Sequence, residues 1–131
     1  MRMPVKVAHQ KDIAPVHMPG RDLQWIVTPE TVGAQMLSAC ILTAPPKSVV
    51  RPLHGHKDVE EALFIIQGEG EAWVDGERAP FTAGDAVMFP ANSKHQIRNT
   101  GDIPMIVVCM FSAVTKPEAY VNYDRDVFSE A

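Results

Sequence analysis

Eleven prolines and eight glycines are spread along the chain so evenly that few windows are long enough for a helix. Between them lie short runs rich in Val, Ile, Phe and Trp, at 24–27, 35–42, 61–66, 71–74, 86–89, 95–99 and 105–111. Short apolar runs separated by turn residues predict an all-β sandwich or barrel. Asp75-Gly76 predicts a two-residue hairpin, and Asn99-Thr100-Gly101-Asp102 a second turn. A chain of 131 residues has room for one domain, expected to span 1–131, and neither an internal repeat nor a linker divides it. The tail at 115–131 mixes Pro117, charges and aromatics, and reads as a short helix or a flap.

With 46% hydrophobic and 21% charged residues, the chain can fill a core and is not a disordered sequence. Twelve Lys and Arg against sixteen Asp and Glu leave a net charge of −4, which argues against a nucleic-acid or anionic-membrane partner. No apolar run approaches the ~20 residues of a membrane span. The start, Met1 to Lys6, carries neither the apolar stretch nor the small-residue cleavage site of a secretory leader. Cys40 and Cys109 each sit inside an apolar run and match no zinc-ribbon or redox spacing, so buried free thiols are expected. These features together read as a cytoplasmic protein.

One stretch carries candidate chemistry, Pro52-Leu53-His54-Gly55-His56-Lys57-Asp58-Val59-Glu60-Glu61. Side chains alternate faces on a strand, so His54 and His56 point the same way. Two imidazoles with a carboxylate from an adjoining strand can supply three facial ligands to a divalent metal and leave coordination positions open. His95, which opens another short run after a loop, is a possible fourth ligand. Two histidines on a solvated strand face would leave the same local pattern.

The pattern as a whole resembles a cupin. The family's first motif, two histidines one apart, a glutamate, six residues and a glycine, is matched by His54, His56, Glu61, 62–67 and Gly68. The second is matched by Gly84, Pro90, His95 and Asn99, with Asn92 where the family usually has a glycine. Asparagine tolerates positive φ better than most residues, so that turn can survive. The motifs span 54–68 and 84–99. The resemblance implies a jelly-roll barrel with a metal in its mouth, held by His54, His56, Glu61 and His95. The six-residue interval to Gly68 selects Glu61 over Glu60, which strand alternation then places on the opposite face. His9 and His17 belong to neither motif and are expected outside the ligand shell.

If Glu61 faces the lumen, Leu63 and Ile65 face it too, and Ile97 follows from His95. These three form the expected substrate pocket, and simple core packing would use them equally well. Alternation shows no lumen-facing arginine, although Lys94 at the mouth or a loop residue such as Arg21 could hold an anion. For Tyr120 and Tyr123, dimer or edge packing is the favoured reading, with a lid over the mouth as the other. Intact ligands and the absence of an effector domain favour a metal-dependent enzyme on a small organic acid or hydroxy-carbonyl compound, with dioxygenase-, decarboxylase- or lyase-like chemistry. The alternative is a non-catalytic cupin that binds or senses a small ligand such as a sugar. The metal would be one divalent transition ion (Fe, Mn, Ni, Cu, Co or Zn). Small cupins resemble one another in pairing through sheet faces or exchanged N-terminal strands, so a homodimer is expected.

Overall fold

The computed structural model describes residues 4–129; Met1 to Met3 and the last two residues of the tail lie outside that range, with the parts of the leader and tail readings that fall on them. Eleven strands form two antiparallel sheets, as the punctuated sequence predicts. In chain order they are β1 (Val16–Met18), β2 (Arg21–Val27), β3 (Ser38–Ala44), β4 (His54–Gly55), β5 (Glu61–Gln67), β6 (Glu69–Val74), β7 (Glu77–Thr82), β8 (Ala86–Phe89), β9 (His95–Asn99), β10 (Met105–Phe111) and β11 (Val121–Asn122). One sheet runs β1-β2-β3-β10-β5-β8 and the other β11-β4-β9-β6-β7. The only α-helix among the described residues, α1 (Pro29–Val32), is a single turn. It exists because Thr28 and Thr31 close a reciprocal capping box and Gly33 ends it at φ 72°. No described helix is long and apolar enough to cross a membrane.

Strand alternation builds the core. On β5, Glu61, Leu63 and Ile65 are buried, and on β10 so are Met105, Val107, Cys109 and Phe111. β10 lies between β3 and β5, placing Cys109 opposite both Cys40 and Leu63. Both thiols are free and buried, as expected. Asp75 and Gly76 both take positive φ, the two-residue turn anticipated between β6 and β7. At Gly68, φ is +91° and a Cβ would stand 3.1 Å from the Met105 Cα, so this turn requires glycine.

Four strands have no apolar run of their own in the sequence, although the sequence does place His54 on a strand and a hairpin at Asp75-Gly76. β1, β4 and β11 are two or three residues long and carry no period of their own. β7 contains Pro80 and is almost wholly exposed; it persists as the edge strand of its sheet, where a missing N–H is tolerated. The expected strand 35–42 begins and ends later, at Ser38–Ala44, after the α1 turn.

Candidate metal centre

The centre forms where the two sheets face one another. His54 on β4 and His95 on β9 are register partners in the five-stranded sheet, while Glu61 opens β5 in the other. β4 ends at Gly55, so His56 lies just past the strand, yet its ring centroid is 5.5 Å from that of His54 and 5.1 Å from that of His95. The ligating atoms of the three histidines lie within 4.8 Å of one another. Glu61 Oε1 is 2.9 Å from His56 Nε2 and 3.3 Å from His95 Nε2. The structure therefore brings all four sequence-derived candidates together.

Their surroundings set their protonation. Pro52 O, 2.9 Å from His54 Nδ1, can only accept, so Nδ1 carries the proton and Nε2 keeps a free lone pair. Burial pulls the His54 pKa down to about 3, and the neighbouring His95 adds to the shift. Burial also lowers His95, against the opposing pull of Glu61. Burial by itself would raise the Glu61 carboxyl, but the hydrogen bond from His56 and the adjacent His95 hold it well below the usual carboxylate range. Neutral imidazoles and an ionised carboxylate are the states a divalent cation needs. The contact of His95 Nε2 with Glu61 lacks hydrogen-bond alignment, and neither ring nitrogen of His95 has a hydrogen-bond partner. An orphaned, fully buried imidazole beside two more and a carboxylate is costly alone and fits a metal.

Acid should therefore destabilise the metal-free protein. Unfolded histidines take up protons near 6.5, whereas buried His54 resists until about 3, so stability is full above the upper value and lost as pH falls through that window. The expected loss is about 1.4 kcal/mol per pH unit from His54, with His95 adding in the same direction. Urea unfolding near neutrality and at about pH 5 measures it; unchanged or greater stability in acid contradicts it.

Neighbouring elements lock the centre. Phe89 stacks on His95 at 3.9 Å, and Phe111 meets the His56 ring edge-on at 5.1 Å. Asn92 takes φ 65°, donates its backbone N–H to His56 O and accepts from Asp58 N, so it performs the turn in glycine's place.

The cavity beside the centre is lined by Arg21, Leu23, Leu42, Leu63, Ile97 and Tyr120, among others. Leu63 and Ile97 are where alternation puts them. Ile65 also points inward and is fully buried, but it packs in the core outside the cavity wall, which corrects its assignment to the pocket. Arg21 corrects the expectation of an arginine-free lumen. It opens β2 rather than a loop, is 4% exposed, and belongs to the inward set with Leu23. Extending the alternation of 24–27 backwards by three residues would have found it. Its Nη1 donates to Pro19 O and Arg51 O, its Nε has no partner, and burial lowers its pKa.

The two tyrosines differ. Tyr120 enters the lumen and stacks on His54 at 5.4 Å, which corrects its favoured placement in dimer or edge packing. Tyr123 stays outside with Lys94 Nζ 4.7 Å over its ring, so Lys94 does not face the lumen. The tail does form an edge strand, β11, against β4. His17 pairs with Asp22 on the surface and His9 is exposed, both away from the centre.

Comparison with known proteins agrees with this geometry. A family model described as "Cupin domain" matches residues 40–111. Polyketide synthase CurC of Streptomyces cyaneus is 33% identical over 101 residues, covering 77% of this chain and 65% of that protein. Tetracenomycin polyketide synthase protein TcmJ of Streptomyces glaucescens is 31% identical over 108 residues, covering 81% and 71%. The formate complex of Lactobacillus farciminis oxalate decarboxylase superposes with a TM-score of 0.78 at 26% identity, over 87% of this chain and 34% of that one.

Proposed function

Because this chain belongs to the cupin family, we propose that it is a metal-dependent enzyme acting on a small organic acid or hydroxy-carbonyl compound. Arg21 carries the acid half of this reading: it is a buried cation on the cavity wall with no ion pair to a carboxylate among the described residues. Glu61, the acid in the same cavity, is already engaged by His56 and His95. An anionic ligand would supply the missing countercharge. The named relatives support the rest. One solved neighbour is an oxalate decarboxylase, and two of the relatives are polyketide synthase proteins.

His54, His56, His95 and Glu61 would hold the metal. When bound, a divalent metal supplies Lewis-acid polarisation of a carbonyl or carboxyl oxygen. Arg21 would fix the carboxylate end of the substrate through its guanidinium. Leu23, Leu42, Leu63 and Ile97 exclude water, which strengthens both interactions by lowering the local dielectric. The reading keeps decarboxylase-, lyase- and dioxygenase-like chemistry together.

The test uses zinc-loaded wild type and Arg21→Met with oxalate as the probe. Arg21→Met should bind oxalate roughly tenfold or more weakly at unchanged zinc content. Equal oxalate affinity in the two proteins removes the reading. Screening small hydroxy- and keto-acids for products by NMR then separates an enzyme from a sensor.

The exposed face of the six-stranded sheet supports a homodimer. Phe64, Ile66, Met88 and Met110 point outward there and expose large apolar side chains on β5, β8 and β10. Light scattering should give twice the 14.4 kDa chain mass at micromolar concentration; the single-chain mass counts against it. The unpaired thiols of Cys40 and Cys109 fit a reducing cytoplasm.

A further inference from the structure

The cavity beside the histidines leaves only about 20 Å³ for the centre of a water-sized molecule, enough for a water or two and no organic acid. The ring of Tyr120 forms part of its wall. It lies face-on to His54, with centroids 5.4 Å apart and planes 7° from parallel. It meets His56 edge-on at 4.5 Å and stands 6.4 Å from Phe111. Its hydroxyl makes no hydrogen bond to any described residue, so packing alone holds the phenol.

The backbone around Tyr120 is built differently on its two sides. Downstream the tail is pinned: Tyr123 N donates to Leu53 O, Leu53 N to Arg125 O, and Val127 N to Gln96 Oε1. Upstream, Thr115 N donates to Ser38 Oγ. Between these anchors Tyr120 is carried by one 3-10 turn, Pro117–Ala119, and the two-residue β11, whose short pairing with Gly55 and His54 on β4 must open for the ring to leave. A ring held by packing, on a short span between fixed points, can leave the lumen without unpinning the tail.

We propose that Tyr120 is a displaceable occupant of the substrate's own place, and that the ligand replacing it is a flat hydroxyaryl or enolic molecule. The place is a slot for a planar ring. His54 offers it a face, His56 offers an edge, Phe111 stands tilted against it, and the apolar walls suit its rim. A saturated ring is thicker and has no π-face to lay on His54. Arg21 on the same cavity wall suits a carboxylate on that ring, so a hydroxybenzoate-like acid combines both features. This inference rests on the proposed acid-binding function for that carboxylate, but the ring slot itself needs no metal.

The first test therefore uses metal-free protein. Tyr120→Ala and wild type are titrated by calorimetry with 4-methylphenol, the Tyr120 side chain in free form, and with its saturated counterpart 4-methylcyclohexanol. Tyr120→Ala should bind 4-methylphenol roughly tenfold or more tightly than wild type does, and with a similar preference over the saturated alcohol. Equal binding of the two compounds, or no binding to a folded variant, overturns the proposal.

A second measurement does not depend on the variant folding. Salicylate added to zinc-loaded wild type should speed amide hydrogen exchange across 116–122 while 123–127 stay protected. Salicylate that leaves 116–122 as protected as before overturns it. A zinc titration alone reports separately on the histidine cluster, so loss of the metal reading and loss of the Tyr120 inference are told apart.

Discussion

Glu61→Gln is expected to lower affinity for a divalent metal roughly a hundredfold or more, while Glu60→Gln leaves it within a few-fold. The asymmetry comes from burial. Glu61 is buried at the start of β5, within reach of His56 and His95, and is the carboxylate that stands beside the three imidazoles among the described residues. Without it a dication would sit among Leu63, Ile97 and Phe89 with no compensating charge, which a low-dielectric site penalises heavily. Glutamine keeps the size and one acceptor for His56, so the fold should survive. Glu60 is exposed, and its backbone, not its carboxylate, is bonded to Ser112. Water screens that carboxylate. Zinc titration of both variants in one buffer decides the matter. The reverse order of affinities would show that the carboxylate ligand is not Glu61.

Ile65→Ala is expected to cost about 3 kcal/mol of stability while changing zinc affinity no more than a few-fold. Ile65 is fully buried and packs in the central apolar cluster. Its backbone is fixed on both sides, with Ile65 N donating to Asp85 O and Gly84 N to Ile65 O, so the strand cannot collapse into the space left behind. On the other edge of β5 its register partner is Val107, beside a bulge in the β10 pairing. Because the cavity wall stops short of Ile65, the metal centre should not feel the loss. Leu63→Ala would cost stability in the same range and widen the cavity as well. Urea unfolding with parallel zinc titration separates the two. A large loss of zinc affinity in Ile65→Ala would place that residue functionally in the centre.

The parts of the centre legible from sequence are those that a period of two can carry. Alternation along β5 places Glu61 and Leu63 inward and Phe64 and Ile66 outward, and it places Ile97 with His95 on β9. His-x-His brought His54 and His56 to one side even though the strand ends between them. Arg21 was within the same logic and was missed only because the apolar run was started at Gln24 instead of being followed back along β2.

Tyr120 and the short strands were beyond it. β4 has two residues, and its pairing with β9 and β11 makes it a strand. β7, with Pro80, is a strand because of its place at the edge of a sheet. Tyr120 reaches His54 because the tail is pinned to Leu53 and Gln96, from segments more than sixty and about thirty residues earlier, contacts with no local signature. Ile65 shows the same limit from the other side: alternation says correctly that it points inward, but the depth of the cavity depends on how the two sheets diverge. The amino-acid order by itself determined the all-β class and the inward faces, because facing is a local property of an extended chain, and the motif spacing shared with cupins named the four candidate ligands. Which inward residues border the cavity, and that a tyrosine from the far end of the chain lies among them, was decided by tertiary packing, because only the meeting of distant segments defines an enclosed space.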